Sequence, residues 1–160
     1  MRVDDDITKT VVFLGRADHG PFVPYGTGFI VATTNTDIAD PDRTWQTVVT
    51  ARHVIESIRS KIVHVRLNNH SGEARVIETE KRGWLFHPDN RIDIAVFPAF
   101  IPKDQFDILH FAIGPFDSTA ISDIVLTPQI IKDRNVGIGD EVYLSGLFVG
   151  RVAGLFNAGV

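Results

Sequence analysis

The side chains best suited to acid–base chemistry stand in two short segments, Thr50-Ala51-Arg52-His53-Val54 and Asp93-Ile94-Ala95-Val96. An imidazole, with an ordinary pKa of about 6.5, accepts and returns a proton near neutrality. Hydrolysing an amide through a hydroxyl needs a nucleophile, a base that takes its proton, a group that orients the base, and preorganised donors for the oxyanion. The serines are Ser57, Ser60, Ser71, Ser118, Ser122 and Ser145, and none stands in a Gly-x-Ser-Gly context. Ser145 precedes Gly146 but falls in a run that reads as strand, not in a tight loop offering oxyanion donors. Plainer readings exist for both segments. His53 fits a buried histidine donating to a carbonyl at a strand end, and Asp93 fits a cap or turn residue or an ion-pair partner of Arg91.

Other candidate groups lead away from chemistry. His64 and His70 read as solvated strand and turn residues, since six residues of extended chain separate them by about 20 Å. His87, before Pro88, reads as structural, and His19 and His110 carry no pattern. Asp37, Asp40 and Asp42 lie in a stretch without the glycine and terminal glutamate of an EF-hand, so a solvated hairpin tip is expected there. No metal and no cofactor is expected.

These segments must be held by short strands. Apolar runs are brief, β-branched and bounded by turn residues, and none keeps a 3.6-residue stripe. Strands are expected at Val11–Leu14, Gly28–Ala32, Thr47–Thr50, Lys61–Leu67, Ala74–Glu78, Gly83–Phe86 and Ile92–Phe97. In the fourth, Val63, Val65 and Leu67 share one face, leaving His64 and Arg66 on a wet one. In the last, Ile92, Ile94 and Val96 share a face opposite Asp93 and Ala95. Strands at this spacing predict a small antiparallel barrel or sandwich. From Pro102 to Arg134 periodicity is weak. A turn at Val136–Glu141 then leads to expected strands at Val142–Gly146 and Gly150–Phe156.

Composition bounds the function. With 160 residues the chain can bury a real core. A net charge of −4 and no Lys/Arg block exclude a phosphate-binding face, so no nucleic-acid partner is expected. The absence of cysteine rules out disulfides, thiolate metal sites and a cysteine nucleophile among these residues. Leu144 to Val160 is mostly apolar, but Arg151 near its centre would cost about 2.5–3.5 kcal/mol in a bilayer, so no membrane partner is expected. The start, Met1-Arg2-Val3-Asp4-Asp5-Asp6, lacks the basic and apolar parts of a secretory signal, and the cytoplasm is the expected compartment.

Taken in order, the motifs resemble the N-terminal portion of the trypsin-like, chymotrypsin-fold serine proteases. Gly26-Thr27-Gly28-Phe29-Ile30-Val31 looks like the glycine-framed strand before the histidine. Thr50-Ala51-Arg52-His53 is similar to the threonine-alanine-x-histidine segment. Phe86-His87-Pro88 and Asp93-Ile94-Ala95-Val96 resemble the approach to the aspartate, and Gly139-Asp140-Glu141-Val142-Tyr143 the start of the second barrel. The resemblance implies that His53 is the general base and Asp93 its orienting partner, with a peptide or protein as substrate of the full-length form. It implies an all-β fold: a complete first antiparallel barrel at 1–100, an interdomain crossover at 101–135 and the opening strands of a second barrel at 136–160. The chain departs from the family in lacking the nucleophile segment, so a truncated serine endopeptidase, inactive alone, is expected, with the serine beyond Val160. The alternative is a non-catalytic pseudoprotease or interaction module that binds a partner through an unfinished second sheet. Exposed strand edges there would also favour self-association.

Overall fold

The computed structural model describes residues 5–18, 20–34, 44–113, 128–138 and 140. The strands expected at Val142–Gly146 and Gly150–Phe156, the serines at 118, 122 and 145, the aspartates at 37, 40 and 42, and His19 all lie outside the described residues.

The fold is mainly β and almost entirely antiparallel. β1 (Val11–Arg16) buries four consecutive apolar residues, Val11 to Leu14, because it is central and covered on both faces. β2 (Val23–Thr34) pairs with it antiparallel. Leu14 stands opposite Gly26 and Gly15 opposite Pro24, so the register shifts and Tyr25 is left over. A proline cannot donate to the ladder, and such an irregularity is where a paired strand tolerates one. The chain continues through β3 (Thr44–Thr50), β4 (Ile62–Asn68), β5 (Ala74–Glu80), β6 (Leu85–Phe86) and β7 (Ala95–Ala99). The lateral order is β5-β4-β1-β2-β3-β7-β6. Among the described residues no pairing joins β5 to β6, so the sheet curls into an open half-barrel.

Inside it, alternate residues converge. Val63, Val65 and Leu67 of β4 point inward as their period of two predicts, and meet Val12, Leu14, Ile30, Val48 and Ala95. Trp84 donates its indole N–H to Thr79 Oγ1 at 3.1 Å, and Thr79 Oγ1 donates to Val63 O at 2.8 Å. The polar edge of a buried aromatic is thereby satisfied. At the β4–β5 hairpin, Asn69 Oδ1 accepts from the backbone N–H of Ser71 and of Glu73, and Gly72 takes φ +80°. That left-handed conformation favours glycine.

Several expectations need correcting. His64 is not wet but 4% exposed. The chain after β1 covers it: Ala17 N–H donates to its Nδ1 at 3.3 Å, and Asp18 Oδ1 lies 3.5 Å away. Arg66, on the same face, stands over the Phe13 ring at 5.7 Å, and its burial lowers the guanidinium pKa. Lys81–Gly83 forms a 3₁₀ turn, shortening the expected strand at 83–86 to two residues. Ile92 and Ile94 are exposed and lie in a loop, while Ala95, expected opposite the apolar face, is fully buried at the start of β7.

Beyond Ala99 the chain keeps covering this core. Ile101 and Ile108 are buried, and Ile101 N–H donates to the buried Gln46 Oε1 at 2.9 Å. β8 (Phe111–Ile113) pairs parallel with Val31–Thr33 of β2, past the end of β1 on that edge. A helix, Pro128–Asp133, ends with Asn135 at φ 50°. Val136 N–H there returns to Ile131 O at 2.9 Å, satisfying a terminal carbonyl.

Candidate active site

β3 and β7 run antiparallel with Thr50, the last residue of one, opposite Ala95, the first of the other. The chain leaving β3 and the chain entering β7 therefore meet at one end of the half-barrel. His53 lies just past Thr50, and Asp93 just before Ala95.

After β3 the chain turns into a short helix, α1 (Arg52–Ser57), anchored by buried Val54 and Ile55. The first amides of a helix have no partner within it. A serine, threonine or aspartate at the N-cap usually supplies one, but here the N-cap is Ala51, which makes no side-chain cap. Asp93 supplies the oxygen from the other side of the fold. Its Oδ1 accepts from the His53 backbone N–H at 2.9 Å. Its Oδ2 lies 2.5 Å from His53 Nδ1.

These contacts hold the Asp93 carboxyl below the usual aspartate range. The His53 backbone N–H is the largest cause, followed by its side-chain hydrogen bond. An ionised carboxylate only accepts, so Nδ1 carries the proton and Nε2 is left as the basic nitrogen. At the far end of α1, Lys81 Nζ donates to Ile58 O at 2.6 Å and Glu56 O at 3.2 Å. Orphan carbonyls are thus matched by a cation.

The neighbouring strand is shaped to this helix. A Cβ on Gly26 would stand 2.6 Å from Val54 Cγ2, and one on Gly28 would stand 2.6 Å from Val49 O. Thr27, between them, accepts at its carbonyl from Thr50 Oγ1 at 2.7 Å. The Gly-Thr-Gly pattern is therefore a packing requirement of the strand beside α1.

Asp93 rides on the loop 87–94, which is fastened to itself. Arg91 reaches both carboxylate oxygens of Asp89, which depresses the Asp89 pKa. Asp89 N–H donates to His87 Nδ1 at 3.1 Å, and His87 N–H to Ile94 O at 3.3 Å. Arg91 is thus the partner of Asp89, not of Asp93. His87 is structural, as expected.

The pair is open to solvent: the His53 side chain is 72% exposed and that of Asp93 52%. Beside Asp93 lies a cleft of about 380 Å³ lined by Val11, Phe29, Val49, Ala51 and Ile94 among others. No described serine engages His53. Ser57 Oγ donates to Val54 O, Ser71 Oγ to Asn69 Oδ1, and Ser60 Oγ accepts from Ile62 N–H. His70, by contrast, contacts the Lys103 carbonyl at 2.8 Å. Among the described residues no cluster of His, Asp and Glu could hold a metal ion, and no helix is long and apolar enough to cross a membrane.

One contributor escaped the sequence reading. Arg52 touches Glu56, Phe86 and Asn90 around the pair. Its four-residue spacing from Glu56 was the available signal. No protein-family model, curated protein or solved structure matches the chain.

Proposed function

We propose that the half-barrel is the first barrel of a chymotrypsin-like, trypsin-family serine endopeptidase, with His53 as acid/base and Asp93 as the carboxylate that orients it. The observation that carries this reading is the double attachment of Asp93, by one oxygen to the main chain of His53 and by the other to its Nδ1. With Nδ1 engaged by Asp93, Nε2 is the ring nitrogen available for the proposed proton transfer. In the proposed reaction Nε2 takes the proton of a serine Oγ as that oxygen bonds to the scissile carbonyl carbon. The imidazolium then returns the proton to the leaving amine as the C–N bond breaks. Water, deprotonated by the same nitrogen, then adds to the acyl carbon, and the acyl–Oγ bond breaks as the imidazolium returns that proton to the serine Oγ. In this reading the serine and the oxyanion donors come from a second barrel, outside the described residues. The exposure of His53 and Asp93 and the apolar rim of Phe29 and Ile94 fit a face that another element covers.

That exposure also favours one other reading, a non-catalytic interaction module on the same fold. A fluorophosphonate probe separates the two. In the protein isolated from its natural source, one serine is expected to be labelled, and H53A to abolish the adduct. The 160-residue chain alone is expected to show neither adduct nor peptide or ester hydrolysis above background. A natural protein that takes no label overturns the peptidase reading in favour of the module.

A further inference from the structure

We propose that Arg52 is a positioning residue for the His53–Asp93 pair, acting through Asn90. The inference deepens the reading just given and rests on it.

Arg52 opens α1, immediately before His53. Its side chain is only 24% exposed, an unusual burial for an arginine at the start of a surface helix. Three contacts account for it. Nε donates to Glu56 Oε1 at 2.7 Å, one turn along the same helix. Cζ stands 5.2 Å from the centroid of the Phe86 ring on β6. Nη1 donates to Asn90 Oδ1 at 2.6 Å. The first two fix the plane of the guanidinium, and the third uses that plane to grip the loop bearing Asp93.

The loop is stiffened from within by the Asp89–Arg91 fork and by the His87–Ile94 bond at its neck. A stiff loop hinged at its neck still needs something to set its tilt against α1. Among the described residues, two side chains of the loop tie it to α1: Asp93, by both oxygens to His53, and Asn90, to Arg52. The second sets the angle at which the carboxylate arrives at the first. A lysine would keep the charge but could not donate to Glu56 and Asn90 from one rigid plane over an aromatic ring.

This separates positioning from plain electrostatics. A nearby cation lowers the Asp93 pKa by its charge alone, and R52K retains that charge. In the 160-residue chain, the Asp93 carboxyl carbon is titrated by NMR and exchange of the His53 backbone amide is followed. In R52K the Asp93 midpoint is expected to rise toward the ordinary value by about half a unit or more. The His53 amide should exchange up to about tenfold faster, the worth of one weakened hydrogen bond. N90A, at an exposed loop site, should reproduce both effects. The double variant should add nothing to either single one. Wild-type values in both R52K and N90A would overturn the proposal, as would independent, additive effects, even if both variants melt earlier. If Asp93 of the unaltered chain titrates at the ordinary aspartate value with an unprotected His53 amide, the pair itself fails, and the peptidase reading falls with it.

Discussion

Gly26 leaves the space into which Val54 packs, so the strand before β3 and the helix after it fit only because one residue lacks a side chain. A methyl group at residue 26 would lie 2.6 Å from Val54 Cγ2 and 2.9 Å from Cγ1. The contact lies one residue from His53, so the fit of the strand decides where the imidazole stands.

G26A is therefore expected to destabilise the fold by about 1–3 kcal/mol, the usual cost of overpacking. Urea unfolding measures it, and V54A introduced alongside should recover part of the loss. G28A meets the carbonyl oxygen of Val49 instead, which is main chain and cannot be trimmed. No side-chain partner should rescue it.

Asp93 makes stability depend on acid in a defined direction. Its carboxyl titrates below the usual range in the folded chain because the His53 N–H and ring hold the charged form. The unfolded chain holds protons more tightly there, so the stabilisation is present above the ordinary value of about 3.9 and is lost as pH falls through the lower folded one. Between about pH 4 and pH 2, D93N should lose less stability with acid than the unaltered chain does. Urea midpoints across that range give the comparison. Parallel curves would show that the carboxylate is not held by His53 in solution.

Ile55 is fully buried beneath α1 and belongs to the central cluster. I55A removes the anchor of the helix that carries His53, and should cost about 2–5 kcal/mol in chemical denaturation. Because α1 has no internal N-cap, the His53 amide should also lose protection in hydrogen exchange. An unchanged amide would mean that Asp93 alone holds the helix start.

Much of this arrangement is legible in the sequence, for local reasons. Val63, Val65 and Leu67 alternate because one face of their strand is core, and the Thr-Ala-x-His and Asp-Ile-Ala-Val segments stand where strands end. The failures are equally physical. Ile92, Ile94 and Val96 alternate as a strand would, yet Asp93 must reach the start of α1, and the chain bends to take it there. His64 follows the wet-face pattern, but a loop folds over that face. β8 spans three residues and pairs with a strand some eighty positions earlier, a partnership no short window reveals. Arg52 sits next to the most conspicuous residue in the chain, and its part depends on Phe86 and Asn90, which only the folded chain brings near.

The tether of Asp93 to the main chain of His53 has a consequence for motion. Were the carboxylate bound to the ring alone, each rotamer change of the imidazole would set both groups adrift. Here the ring can swing out on its Cα–Cβ bond and give up a single hydrogen bond, while Oδ1 stays on the amide behind it. The returning imidazole finds its acceptor already in place. The pair works as a door on a fixed hinge post, free to open and certain of where it closes.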